Sequence, residues 1–174
     1  MSQIVTVPSE VLRAVAKPVE VFDKRVLDII KDMENTLKAA KNPEGVGLAA
    51  PQIGVSLRIF LIRPNPRGPT TVMVNPNITK YSQRVQSADK KDGVYEGCLS
   101  IPQHYSPVKR SMSVTVTYQT PTMETKTTVY TGFPAHVVQH ELDHLNGVLF
   151  IDRVLEQNIP LYKVAGRTWH EIAL

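Results

Sequence analysis

Gln139-His140-Glu141-Leu142-Asp143-His144-Leu145-Asn146-Gly147 is the stretch on which the reading of this chain turns. An α-helix makes a turn in about 3.6 residues, so His140 and His144 fall on one face and both imidazoles can reach a single metal ion. Glu141, between them, is then close enough to act on a water at that ion. Working outward, Phe133 to Asn146 is predicted as one helix, with Gly147 its natural stop.

Several readings of this segment compete. In the plainest, a helix carries two solvated histidines and a glutamate. In a second, a peptidase takes a third histidine six residues past His144, but that position holds Phe150. A downstream carboxylate would have to be Glu156 or Glu171, and Glu156 lies close behind, where the last helix is expected to begin. The remaining candidate is Cys98, which is the one cysteine of the chain and sits in Glu96-Gly97-Cys98-Leu99-Ser100. It is buried filler, a nucleophile or a metal ligand. A thiolate with two imidazoles would make a three-ligand site with one position open for water.

The chain has 174 residues, 42% hydrophobic and 21% charged, enough for one domain (1–174) with a sizeable core. No apolar run approaches the roughly 18 residues of a membrane span. The N-terminal stretch has no long apolar segment after a basic start, so no secretory signal is expected. A lone cysteine excludes an internal disulfide framework and fits a reducing compartment. Twenty Lys plus Arg against sixteen Asp plus Glu give a formal charge of +4. A solvated surface accounts for that excess, with affinity for an RNA-rich partner as the alternative.

A short helix is expected over 9–16 and a stronger one from Lys24 to Ala40, where Val26, Leu27, Ile30, Met33 and Leu37 recur at helical spacing before Asn42-Pro43 stops it. Residues 57–62 and 70–74 read as strands. Weaker strands are expected at 77–86, 113–119 and 124–131, the last two joined as a hairpin around Thr120-Pro121-Thr122. Pro64, Pro66 and Pro69 mark an exposed loop, and a broken helical stretch is expected over 155–174, a short C-terminal tail. Strands are joined mostly by turns, so the expected class is α+β: a single domain of mostly antiparallel strands around a central metal-binding helix.

Residues 45–52 read Gly45-Val46-Gly47-Leu48-Ala49-Ala50-Pro51-Gln52. The third glycine of a dinucleotide loop is missing, which leaves a nucleotide reading weak. A tight turn is the simple reading. The alternative is a strand of accessible backbone ending beside a side-chain amide that can polarise a carbonyl.

GVGLAAPQ, EGCLS and QHELDHLNG, in this order and spacing, resemble the three motifs of the peptide deformylase family, and the resemblance covers about residues 5 to 153. It implies a metal-dependent hydrolase that removes the formyl group from the N-terminal formyl-methionine of nascent polypeptides. Cys98, His140 and His144 match the family's metal ligands. Glu141 matches its proton carrier, and Gln52 with the backbone N–H of Leu99 its oxyanion donors. Backbone at Val46, Gly47 and Gly97 would pair with an extended substrate, Phe133, His136 and Val137 would wall the methionine pocket, and Glu96 and Arg110 would form an ion pair behind Cys98. The family's usual ion in the cell is Fe²⁺, with Zn²⁺, Ni²⁺ or Co²⁺ substituting. The implied setting is a bacterial-type cytoplasm or an organelle matrix, as a monomer, with no membrane or DNA partner.

Three departures from the family stand out. His136 occupies a position usually aliphatic, four before His140; it could tune side-chain preference, bind a second metal, or simply pack. Val46 is smaller than the usual isoleucine. The tail carries only Lys163, Arg167 and His170 against Glu156 and Glu171, so a ribosome contact near the exit tunnel is the weaker partner expectation. Two other classes stay in view: a metallopeptidase acting on internal bonds, and a non-catalytic relative that binds nascent chains or rRNA.

Overall fold

Ile59-Phe60-Leu61-Ile62 is apolar without alternation, the pattern of a strand covered on both faces. A computed structural model describes residues 2–41, 44–86 and 94–173 and shows what covers it. The described elements are helix α1 (Lys24–Ala39) and strands β1 (Gly47–Ala49), β2 (Ile59–Ile62), β3 (Thr71–Tyr81), β4 (Glu96–Cys98), β5 (Ile101–Ser106), β6 (Ser113–Gln119) and β7 (Thr125–Thr131). Helices α2 (Phe133–Leu145) and α3 (Phe150–Gln157) and strands β8 (Leu161–Ala165) and β9 (Thr168–Ile172) follow. The architecture is α+β, and the described strand pairs are antiparallel.

A five-stranded sheet has the order β1-β2-β3-β6-β7 and a four-stranded sheet the order β4-β5-β8-β9. Strand β2 lies between two helices. Ile59 and Leu61 pack with Val26, Ile30, Met33 and Leu37 of α1, while Phe60 and Ile62 pack with Val137, Val138, Leu142 and Leu145 of α2. A third cluster joins Leu12, Cys98, Ile101, Leu149, Phe150 and Leu161, seating the smaller sheet against α3. Asp23 caps α1 by accepting from the Val26 N–H at 2.9 Å.

Several expectations change. The 9–16 helix shrinks to one turn of 3-10 helix at Glu10–Leu12. The expected stop of α1 at Asn42-Pro43 lies outside the described residues; α1 ends at Ala39. The expected strands 70–74 and 77–86 are a single strand, β3, whose pairing with β6 shifts between Val74 and Asn77. Pro76 falls in that irregularity, where a missing N–H does least harm. Asn75, at φ +49, fixes the bend: its amide accepts from the Val19 N–H at 2.8 Å and donates to the Val19 carbonyl and to Gln119 Oε1, each at 2.8 Å.

The tail differs most. Only Phe150–Gln157 is helical; beyond Pro160 the chain forms the β8–β9 hairpin, with Ala165 paired to Thr168 across Gly166-Arg167. Gly166 has φ +62, as the first residue of a tight two-residue hairpin loop requires.

Candidate active site

Helix α2 begins after Gly132 (φ +62) with Pro134 in its first turn, where a proline has no hydrogen bond to lose. Every residue from Ala135 to Leu145 is buried. Val138, Leu142 and Leu145 meet the large sheet, which accounts for the apolar part of the helix surface. The other part carries His136, His140, Glu141 and His144, and burying it demands partners.

Strand β4 supplies them. Side chains alternate along a strand, so Glu96 and Cys98 share a side while Gly97 takes the other. Cys98, His140 and His144 bring their donor atoms within 4.8 Å of one another, the only such His, Cys or carboxylate group among the described residues. Cys98 Sγ stands 3.2 Å from His144 Nε2. Burial works to raise the Cys98 thiol, but the charges and hydrogen bonds of His144 and His140 hold it down at about 5. Next to them Glu141 is 3% exposed, and its Oε2 has no hydrogen-bond partner. Burial, only partly opposed by the two imidazoles, pushes its carboxyl up to about 7. A soft donor, two imidazoles and an unsatisfied carboxylate oxygen beside them fit one first-row divalent ion and a water.

The imidazole of His140 is oriented from behind. Its Nδ1 lies 2.7 Å from Glu96 Oε1, which leaves Nε2 for the cluster. Arg110 grips Glu96 bidentately, at 2.9 Å from Nε and 2.7 Å from Nη2, and reaches Asp143 at 2.5 Å. Asp143 is held in turn by Arg153 at 2.6 and 3.0 Å. Burial favours the neutral form of Glu96, yet Arg110 and His140 hold its carboxyl well below the usual range. Asp143 is likewise lowered against its burial, by Arg153 and Arg110.

Asp143 and Arg153 were not expected at the site. The available signal was Asp143 itself, three residues past His140 in the helix and therefore near the same face.

Gln52 follows β1 in a turn of 3-10 helix, Ala50–Ile53. Its Oε1 accepts from the Ala49 N–H at 2.8 Å, which turns Nε2 toward Cys98 Sγ at 3.5 Å and Ser100 Oγ at 3.3 Å. A Cβ on Gly47 would run into the Glu141 carboxyl, so only glycine lets β1 pass there.

A cavity of about 220 Å³ opens beside these groups, lined by Val46, Gly47, Gln52, Gly97, Leu99, Phe133, His136, Val137, His140 and Glu141 as expected from the sequence, and also by Val94, Tyr95 and Tyr105, which were not. β1 and β4 are the end strands of their two sheets, so the cavity lies between two sheet edges. His136 is 3% exposed, and its Nε2 stands 2.6 Å from Glu96 Oε2, in ion-pair range but outside hydrogen-bond geometry. It takes no part in the candidate metal group.

A buried thiolate–imidazole cluster with a poised carboxylate, set in an α+β scaffold, is the arrangement of a metal-dependent hydrolase. The model of the polypeptide deformylase family matches residues 1–159. The chain is 43% identical over 144 residues to peptide deformylase of Pseudothermotoga lettingae, covering 83% of this chain and 77% of that one. It is 41% identical over 155 residues to the enzyme of Brucella suis, covering 87% and 83%. The Met-Ala-Ser-bound crystal structure of class I type b peptide deformylase from Acinetobacter baumannii superposes with a TM-score of 0.76 at 36% identity, over 87% of this chain and 97% of that one. The chain belongs to the polypeptide deformylase family. No described helix is long and apolar enough to cross a membrane.

Proposed function

We propose that the chain hydrolyses the formyl amide at the N-terminal formyl-methionine of nascent polypeptides, releasing formate, and that the chemistry takes place at the Cys98–His140–His144 cluster. The observation that carries this is the buried, unpartnered Oε2 of Glu141 beside that cluster at the cavity wall. Cys98, His140 and His144 would hold one divalent ion, which when bound supplies Lewis-acid activation of a water nucleophile.

The remaining steps belong to the protein. Glu141 takes the proton of the attacking water on its carboxylate and delivers it to the departing amine nitrogen. A carboxyl poised near 7 suits both transfers. Gln52 Nε2 and the Leu99 backbone N–H donate to the formyl oxygen as it becomes tetrahedral; losing one such donor costs about 10²–10³ in rate elsewhere. Edge backbone at Val46, Gly47 and Gly97 takes the peptide as an added strand. Phe133, His136 and Val137 wall the methionine pocket, and Glu96 with Arg110 positions His140.

Fe²⁺ is the proposed resident ion. Zn²⁺, Ni²⁺ and Co²⁺ suit the same donors, and metal availability rather than affinity would select among them. The proposed setting is a bacterial-type cytoplasm or an organelle matrix, with the whole chain acting as one catalytic domain and as a monomer. Ribosome contact rests only on Lys163 and Arg167 of the terminal hairpin.

Formate release from formyl-Met-Ala-Ser by anaerobically purified, Fe²⁺-loaded protein, beside Glu141→Ala, tests the reading. Formate from the wild type alone is the expected result. Cleavage of an unformylated, blocked peptide at an internal bond would replace this reading with that of a peptidase.

A further inference from the structure

The two groups proposed to receive the formyl oxygen belong to different sheets. Gln52 follows β1 of the larger sheet, and Leu99 follows β4 of the smaller one. Such a pair works only when both donors lie about 2.7–3.1 Å from the place that one oxygen will occupy. Their separation therefore has to be fixed between the sheets. Among the described residues, no backbone hydrogen bond joins the Gln52 turn directly to Leu99 or Ser100. The side-chain contacts of Gln52 Nε2 with Ser100 Oγ and Cys98 Sγ are direct links, at 3.3 and 3.5 Å.

The N-terminal segment supplies the rest. Val5 donates its N–H to the carbonyl of Gln52 at 2.8 Å, and Val7 donates to the carbonyl of Ser100 at 3.1 Å. Two N–H groups, two residues apart on one chain, thus hold one donor-bearing segment of each sheet. The side chains divide in the same way. Ile4 packs against the cluster of α1 and β2, and Val5 against the cluster that contains Cys98, Leu149 and Phe150. At the start of the segment Ser2 donates its N–H to Thr36 Oγ1 of α1 at 3.1 Å, and Ser2 Oγ bonds Asp32. At its far end Ser100 is fully buried, its Oγ engaged by Gln52 and its N–H directed at Cys98 Sγ at 3.4 Å.

We infer, on the deformylase reading of the site, that residues 4–7 are a positioning clip for the two oxyanion donors. The clip holds Gln52 and Leu99 in register across the sheets through the Gln52 and Ser100 carbonyls, and Ser100 Oγ is its side-chain counterpart. Both N–H groups of the clip are committed to those carbonyls, so it acts on the distance between the donors. A displacement of about 1 Å near reacting atoms can cost about 10²-fold in rate. The donors meet full negative charge only as the formyl carbon becomes tetrahedral, so the loss falls on turnover and not on binding.

The test measures kcat and KM on formyl-Met-Ala-Ser, and the Kd of the product Met-Ala-Ser, which has no formyl oxygen to place. Val5→Pro deletes the N–H on the Gln52 carbonyl. It should lower kcat by roughly tenfold to a hundredfold, less than removing a donor outright, with KM and product affinity changed by no more than about twofold. Val5→Ala trims the side chain but keeps the N–H, and should recover most of that loss. Ser100→Ala removes Oγ while keeping the N–H on Cys98 Sγ, and should lower kcat in the same manner. The double variant should lose less than the product of the two single losses, because both act on the same donors.

A second readout does not involve turnover. In Zn²⁺-loaded protein, the side-chain amide signal of Gln52 in proton–nitrogen NMR spectra should move in Val5→Pro and Ser100→Ala, and move less in Val5→Ala. Formate from the wild type with kcat unchanged in Val5→Pro, or a loss that Val5→Ala shares in full, overturns the clip and leaves the deformylase standing. A fall in product affinity that matches the fall in kcat would mean a loosened cavity, and overturns the clip as well. No formate from the wild type overturns both readings. If Val5→Pro fails to fold, an ester in place of the Ile4–Val5 amide removes the same N–H without the ring, and its kcat decides.

Discussion

Replacing Arg110 by alanine perturbs the buried charge network at its centre. The guanidinium is 6% exposed and makes three charge-assisted bonds, two to Glu96 and one to Asp143. Asp143 keeps Arg153, but Glu96 is left with only imidazoles around a buried carboxylate. Breaking such a pair by removing one partner costs about 3–5 kcal/mol, because the other charge stays buried. For a chain of this size each kcal/mol moves Tm by about 2–4 °C, so the variant should melt roughly 6–20 °C lower at pH 7.5.

The pH dependence carries a definite sign. The carboxyl of Glu96 is held below its unfolded value, so its stabilisation is complete above that value, near 4.5, and is lost as pH falls through the depressed folded value. Without Arg110 the same carboxyl rises, and protonation relieves the variant first. The stability gap should therefore be widest near neutrality and narrow below about pH 4.5. Urea unfolding at pH 7.5 and pH 4 reads this as a midpoint shift with unchanged slope. A midpoint equal to wild type at pH 7.5, or a gap that widens in acid, would refute the reasoning. Formate release should fall as well, since His140 loses the anchor of its Nδ1 partner.

Gly47→Ala drives a methyl into the Glu141 carboxyl and Val137; deformylation should fall by about two orders of magnitude or more with the fold retained, as circular dichroism would verify. Cys98, held at about 5, should react with iodoacetamide near neutral pH once chelator has removed the metal, and added Zn²⁺ should protect it; a thiol equally reactive with and without metal would argue against ligation. Iron-loaded protein should lose activity on aeration while zinc- or nickel-loaded protein does not, measured by formate release over time. His136→Ile should shift the preference between formyl-methionyl and formyl-leucyl peptides severalfold; an unchanged ratio would reduce His136 to a packing partner of Glu96.

What was legible in the sequence, and what was not, follows from where each feature's physics resides. The candidate ligands could be read because metal chemistry demands residue identity: few side chains replace a thiolate or an imidazole, and a four-residue interval on a helix is a local distance. The helix periods of α1 and α2 and the β6–β7 hairpin were legible for the same local reason. Strands β4 and β5 are not legible because Glu96-Gly97-Cys98 and the Pro102-containing segment have little strand propensity of their own; β5 is extended because it pairs with β8 some sixty residues on, and β4 because it folds back onto β5. The tail failed differently. Leu161-Tyr162-Lys163-Val164 and Thr168-Trp169-His170-Glu171-Ile172 alternate around Gly166, a local hairpin signal that outweighs the weak helical pattern expected over 155–174.

Asp143 shows a further boundary. Within the motif it looks like a solvated helix charge. Only the fold reveals that Arg110 from one side and Arg153 from the other converge on it. Glu96, Arg110 and Asp143, unremarkable one at a time, become when buried together, with the part-exposed Arg153 at their edge, the frame that keeps His140 aimed. Sequence can name the candidate ligand atoms; the positions that hold those atoms still depend on charge pairs closed between distant parts of the chain.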